Sequence, residues 1–418
     1  MDVETITDIT TDEKTFKAYL IFWSGQLFSV LGSSISQFTI ILWLTEITGS
    51  TFLLSLSSFL YLLPMTIVIT FAGVLIDRWN RKKIIIVVDS LQAFIMVLII
   101  LVFSFDLAEP LIIIAINGLL GLFQGFHIPT VNAIVPTMVP KDRLSRMNGA
   151  NLFLTGFLQI IGPIMAAMLM TFLPITIILL LDPITFVIAF ILLLLTSIPT
   201  INKDETSIQK KSYLEDFKIG FQTLKLIPIV LMMLIISMFI NFLLRPFSVF
   251  MPYLILFNHS GTPADVAIVL ACMNGGTLLG ALVTTIKKDW KHGFFIYFGG
   301  EFLIMVTYGI IGITPHEYFL LMSIVIAILG FMIPIINTIY LTVMQQKVPK
   351  EKMGRISSID YSISSAISPL GVLISGPLAE IFGVPKLFLF CSILGMAITI
   401  VIWWIAHRRV NNHNNVNE

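Results

Sequence analysis

Gly73-Val74-Leu75-Ile76-Asp77-Arg78-Trp79-Asn80-Arg81-Lys82-Lys83 lies between two apolar runs, 51–76 and 83–105. Each run matches or exceeds the roughly 20 apolar residues that a helix needs to cross a hydrocarbon core. The stretch between them reads as a tight turn at a membrane surface, and its four basic residues set which surface that is. A solvated turn that only fixed topology would need the bases alone. The glycine and the aspartate need a further reason. Gly73 lets a neighbouring helix come close, and Asp77 at a helix end can meet the positive N-terminal end of another helix.

The same alternation of apolar run and short polar turn continues outward in both directions. Spans are expected near 18–44, 51–76, 83–105, 109–136, 147–172, 175–198, 228–257, 264–286, 293–313, 317–344, 357–381 and 385–406. Barrel strands would be shorter and would alternate in polarity. Of the 418 residues, 57% are apolar and 12% charged, where a soluble domain carries roughly 25% charge. The mean hydropathy is +0.96. A net charge of +1 with no separate basic domain gives nucleic acid nothing to bind. Cys272 and Cys391 both lie in apolar runs and read as small core residues. Met1 to Glu13 is polar and acidic, unlike a cleaved signal peptide.

The longest polar stretch, 199–226, divides the chain into a six-span unit at 1–198 and another at 227–418. Its second half places Leu214, Phe217, Phe221 and Leu224 at helical spacing, the pattern of an amphipathic helix lying on a membrane surface. Alternate connections and the two ends hold 23 of the 25 Lys and Arg residues; Arg245 and Lys386 are the exceptions. The positive-inside rule then puts both termini in the cytoplasm, and an even number of spans agrees. The halves also repeat. Val139-Pro140-Lys141-Asp142-Arg143-Leu144-Ser145-Arg146 matches Val348-Pro349-Lys350-Glu351-Lys352-Met353-Gly354-Arg355, an offset of 209 residues. At that offset Leu120-Gly121 meets Leu329-Gly330, and Gly162 meets Gly371. A same-direction repeat of six-helix units suits a transporter with two pseudo-symmetric halves.

The motif at 73–83 resembles the signature loop of the major facilitator superfamily, Gly-x-x-x-Asp-Arg-x-Gly-Arg-Lys. Asn80 stands where the second glycine is usual, and Asn tolerates a left-handed turn. Gly25-Gln26, Thr48-Gly49-Ser50, Phe126-His127-Ile128-Pro129, Asn132-Ala133 and Asp182 extend the similarity towards a macrolide-efflux-like, drug:proton antiporter branch. The resemblance implies an all-α membrane fold of twelve helices in two six-helix bundles. It also implies that Gly73, Asp77, Arg78, Arg81 and Lys82 form a gate that locks the halves in the outward-facing state. Two departures weaken the link to proton antiport. The middle of span four, Ile116 to Gly125, lacks the arginine of many proton-coupled exporters, and Leu158 replaces a glycine before Gly162-Pro163.

Charges inside spans are costly and mark function by default. Glu301, Asp182 and Arg245 are the candidates for ion coupling, with a static Arg245–acid pair as the structural alternative. Asp89 and Asp360 are expected to meet loop bases such as Arg146 and Arg355, and His127 to make a helix-end contact. Polar stripes at helical spacing outline a substrate path: Gln26, Ser29, Ser33 and Gln37; Asn117 and Gln124; Asn151, Thr155 and Gln159; Asn241 and Ser248; Asn274 and Thr277. Helix–helix hydrogen bonding is the plainer reading of any single stripe.

These features predict a multi-pass cell-membrane transporter, monomeric among membrane lipids, exporting drugs or other amphipathic small molecules by alternating access and coupled to protons. A lysophospholipid or other metabolite facilitator of the same fold is the alternative. No P-loop, HExxH or other hydrolytic arrangement occurs in the sequence, so no enzyme activity, cofactor or metal is expected.

Overall fold

The computed structural model describes residues 13–199, 221–287, 290 and 292–414. Fourteen long or broken α-helices run in chain order among the described residues: α1 Glu13–Thr48, α2 Thr51–Arg78, α3 Arg81–Ser104, α4 Pro110–Met138, α5 Leu144–Met170, α6 Ile175–Leu179, α7 Leu181–Leu195, α8 Pro228–Leu243, α9 Arg245–Tyr253, α10 Pro263–Ile286, α11 Gly293–Ile313, α12 Phe319–Lys347, α13 Lys350–Phe382 and α14 Val384–Asn414. Helices satisfy every backbone polar group within the segment, which a hydrocarbon solvent requires. Eleven segments are long and apolar enough to cross a membrane, and a shorter apolar stretch, Ile367–Phe382, forms the outer part of α13. The all-α, polytopic architecture is thus as the sequence predicts.

Two expected spans are interrupted. Asp182-Pro183 follows the break at Leu180 that separates α6 from α7. Arg245-Pro246 follows the break at Leu244 that separates α8 from α9. Proline lacks the N–H that would bond four residues back and presses on that carbonyl, so each helix restarts at the proline. After α9 a π-helical turn, Leu254–Asn258, ends with the His259 N–H bonded to the Leu254 carbonyl, 3.1 Å. The surface helix expected at 213–226 lies, up to residue 220, outside the described residues; 221–226 is helical, with Leu224 buried.

The chain forms two compact units. One comprises residues up to Thr39 together with Leu63–Glu205, the other Ile40–Leu62 together with Thr206–Glu418. The last turns of α1 from Ile40 and the first part of α2 to Leu62 group with the second unit.

In the first unit, Gly25 lets α1 approach Ala189 and Leu192 of α7, and Gly162 lets α5 approach Ser34 of α1. A buried cluster of Tyr19, Phe22, Ile85, Ile134, Met138 and Leu193 closes one end. In the second unit, Gly371 of α13 lies against Phe242 and Arg245 at the α8–α9 break. Gly162 and Gly371, equivalent by the 209-residue repeat, thus occupy equivalent helix crossings. Glu380 of α13 accepts from Ser50 Oγ at 2.9 Å and from the Phe52 N–H at 3.3 Å. A carboxylate is favoured there because the first N–H groups of α2 are otherwise unpaired. Large side chains such as Phe71, Phe94, Leu195 and Leu320 remain exposed, as helices solvated by lipid would have them.

The tightest seam joins α10 to α12. A Cβ on Gly276 would strike the Ala327 carbonyl, one on Gly280 the Phe331 carbonyl, and one on Gly330 the Met273 carbonyl. Gly275, the next residue, faces open space. Gly276→Ala should therefore lower the thermal stability of the detergent-solubilised protein by about 1–3 kcal/mol, the usual cost of overpacking. Gly275→Ala should leave it unchanged or raise it. Equal melting curves for the two variants would contradict this packing.

Candidate functional site

The basic turn works as a clasp on three helix ends of the first unit. Asn80 is extended, with φ −67° and ψ 112°, and its side chain accepts from the Lys83 N–H at 3.1 Å. It is the N-cap of α3, which corrects the expectation of a left-handed turn; capping needs a short acceptor that glycine lacks. Arg81 donates to the Ala133 carbonyl of α4 at 2.8 Å. Lys82 Nζ donates to the carbonyls of Leu194, 2.9 Å, and Thr196, 2.6 Å, at the end of α7. A cation on the last carbonyls of a helix meets both the unpaired acceptors and the negative end of the dipole. Gly73, Asp77 and Arg78 lie on α2, but their side chains fall outside the described residues.

Asp182 sits at the start of α7, where Ser33 Oγ of α1 donates to its Oδ1 at 2.8 Å. Gly32 makes room, because a Cβ there would meet Thr185 and the Asp182 backbone. Glu301, on α11 of the second unit, is 5% exposed. Four residues earlier, one turn back, Tyr297 donates its hydroxyl to the Met233 carbonyl of α8 at 2.9 Å and lies beside Glu301, a second possible acceptor. A phenol has one hydrogen to give. While Met233 holds it, the Tyr297–Glu301 bond requires a protonated Glu301; an ionised Glu301 draws it away from Met233. The carboxyl and the α8 backbone therefore compete for one proton. The Tyr297 ring stacks on Tyr340, 6.2 Å between centroids, and Tyr340 donates to Asp360 Oδ1 at 2.9 Å.

Asp360 thus accepts from Tyr340; the side chain of Arg355, the loop base expected beside it, lies outside the described residues. Asp89 is held by His127 and Gln26, and not by Arg146. His127, expected at a helix end, lies inside α4 and reaches α1 and α3. Arg245 stands at the α8–α9 break; its buried Nε has no hydrogen-bond partner, and among the described residues no ion pair joins it to an acid. The break supplies free backbone near it, since Pro246 leaves the Phe242 carbonyl without its helical donor.

The polar stripes are in large part spoken for within each unit. Gln26 meets His127, Ser33 meets Asp182, and Gln92 donates to Gln124 at 2.9 Å. Asn241 donates to the Ser237 carbonyl at 2.9 Å. Gln159 and Asn274 are engaged as well. Ser29, Gln37 and Asn117 are half-buried. Cys272 and Cys391 are free thiols. The Asp89–His127 pair is the grouping that sequence spacing missed, although Asp89 with Gln92 and Gln124 with His127 share a three-residue spacing that would align two helix faces.

Residues 22–372 match the sequence model of the Major Facilitator Superfamily. Macrolide efflux protein A of Streptococcus pyogenes is 29% identical over 386 residues, 92% of this chain and 95% of that protein. A protein of the same name from Enterococcus faecalis is 26% identical over 325 residues, 78% of this chain and all of that one. Among solved structures, a bacterial homologue of the iron transporter ferroportin in an inward-facing state superposes with a TM-score of 0.69 at 16% identity, covering 93% of this chain and 98% of its own. That last likeness concerns the fold alone.

Outside the spans, His259 is buried after the π-helical turn, with its Nδ1 unpartnered among the described atoms and its ring stacked on His316 at 6.1 Å. Burial first, then the neighbouring His316, hold its pKa below the ordinary 6.5, against a hydrogen bond to the Pro315 backbone that raises it. The neutral ring is the one that fits. Its stabilisation is complete above the unfolded value near 6.5 and is lost as pH falls through the lower folded value. The melting temperature should therefore drop as pH is lowered below about 6.5, and His259→Gln should flatten that drop. Parallel pH curves for the two proteins would contradict the assignment.

Proposed function

The chain belongs to the Major Facilitator Superfamily, and on that footing we propose that it exports amphipathic compounds of the macrolide kind by alternating access, in exchange for protons. The substrate class rests on the macrolide efflux proteins, which resemble this chain over almost their whole lengths. The coupling rests on one observation: Glu301 is buried on an apolar helix beside a tyrosine whose single hydroxyl hydrogen has two possible acceptors. A proton arriving at Glu301 releases Tyr297 to Met233 and ties α11 to α8. A proton leaving it loosens that tie. Two helices are then biased by one protonation event, the minimal requirement for linking ion binding to a change of conformation. Asp182, bonded to Ser33 across α1 and α7, is a second acid able to load a proton, and Arg245 at the α8–α9 break is a cation that can shift against either state.

The basic turn supplies the gate in this reading. Arg81 and Lys82 bind α4 and α7 into a rigid end, so that Asp77 and Arg78 act as the parts that engage and release. The bundles 1–198 and 227–418 are the moving bodies, joined by 199–226, and the basic connections place both termini in the cytoplasm of a monomer.

Cells expressing the protein should accumulate less radiolabelled erythromycin than cells without it, and a protonophore should abolish the difference. Glu301→Gln should cut the export rate by about tenfold or more, equivalent to roughly 1.4 kcal/mol, with the protein still present at normal level in the membrane. Export that survives the protonophore would remove the proton from the account. Full export by Glu301→Gln would remove Glu301 from the coupling.

A further inference from the structure

Asp89 of α3 is 7% exposed, and its Oδ1 is buried with no hydrogen-bond partner. That oxygen lies 3.3 Å from His127 Nε2 of α4. The same nitrogen lies 3.1 Å from Gln26 Oε1 of α1, and Gln26 lies beside Asp89. Three helices of the first unit thus bring one carboxyl, one imidazole and one amide together inside an apolar segment.

The groups around the pair are few. From α1 comes Gln26; from α4 come His127 and, one turn away, Gln124, which is bonded to Gln92 of α3. α7 carries one titratable group, Asp182, which takes its hydrogen bond from Ser33. α6 carries none, and α2 faces α3 with Ala72 and Ile76 against Ile84 and Val88. Among the described residues, His127 is therefore the titratable group in contact with Asp89.

The hydrogen positions follow from the geometry. A lone pair on His127 Nε2 would face two oxygens, so Nε2 carries the hydrogen and directs it to Gln26, leaving Asp89 Oδ1 in electrostatic contact at 3.3 Å without a hydrogen bond. With Asp89 ionised and Nδ1 bare, the group has a net charge of −1 inside an apolar segment. One further proton, on Nδ1 or on the orphaned Oδ1, brings the net charge to zero. A buried unpaired charge is expensive and a paired one much less so. The two groups titrate together, so the proton belongs to the pair.

We infer that Asp89 and His127, bridged by Gln26, form a proton-binding site in the first unit that is separate from Glu301 and loads one proton in each transport cycle. The proton comes from water on one side and returns to water on the other, with no other bond made or broken. The transport role rests on the proton-exchange reading above; the binding of the proton does not.

The test uses the full-length purified protein labelled with 13C at histidine Cε1, the His127 signal being assigned by its loss in His127→Gln. Between pH 5 and 9 that signal should titrate, and Asp89→Asn should lower its midpoint by at least about one pH unit, a tenfold loss of proton affinity. Asp89→Glu, which keeps the carboxyl, should restore most of the shift and guards against a folding defect in the amide variant. An unchanged midpoint in Asp89→Asn, or no titration in the wild type, would overturn the site. In liposomes, Asp89→Asn and His127→Gln should keep gradient-free erythromycin exchange but lose its acceleration by an imposed pH gradient. Full acceleration in Asp89→Asn would overturn the transport role of this site. A wild type indifferent to the gradient would defeat the exporter mechanism instead, while the histidine titration still decides whether the site binds a proton.

Discussion

A polar group placed inside an apolar helix must find its partner within the protein, because lipid offers none. That constraint shapes this chain from end to end. Backbone groups satisfy it by helix formation, and the Glu380 carboxylate satisfies it for the start of α2. Arg81 and Lys82 satisfy it for the carbonyls of α4 and α7. Many serines and threonines do so by turning back on their own helices, as Thr39 does to the Ile35 carbonyl at 2.8 Å. Against this background the charged side chains with an unpartnered buried atom stand out among the described residues: Asp89 Oδ1 and Arg245 Nε. Tyr297 stands out for the opposite reason, having one hydrogen and two acceptors.

These exceptions share a physical character. In the proposed mechanism each is a group whose best partner changes with a proton or with a shift of a neighbouring helix. A fully satisfied bond, such as Lys82 on the end of α7, fixes geometry. A bond that is satisfied in one protonation state and lost in the other favours two geometries in turn. The glycine seams supply the other half of the requirement. Helices that touch through Gly276, Gly280 and Gly330 pack backbone to backbone, and such flat contacts hold α10 and α12 together as one rigid body on which the labile groups can act.

The helices themselves were legible in the sequence because their cause is local: some twenty apolar residues, a turn, and a bias of charge. The breaks at Leu180 and Leu244 were less so, although Pro183 and Pro246 were in plain view, because proline is tolerated inside many spans here, Pro64, Pro163 and Pro334 among them. Asp182, Arg245 and Glu301 declared themselves as charges in apolar runs. Their partners did not. Spacing tells which residues share a face of one helix; it does not tell which helix lies opposite. Asp89 with His127, Tyr340 with Asp360 and Tyr297 with Met233 are all meetings of different helices, so they became visible in three dimensions. The same limit explains Asn80, whose role as a helix cap depends on where α3 begins.

The account's central claim is that macrolide movement and proton movement are the two sides of one exchange. It is tested most directly in liposomes holding the purified protein and a trapped pH indicator, with erythromycin supplied on the outside only. As the drug enters, protons should leave, and the lumen should become more alkaline in proportion to the drug taken up. Erythromycin uptake that leaves the internal pH unchanged would contradict the account.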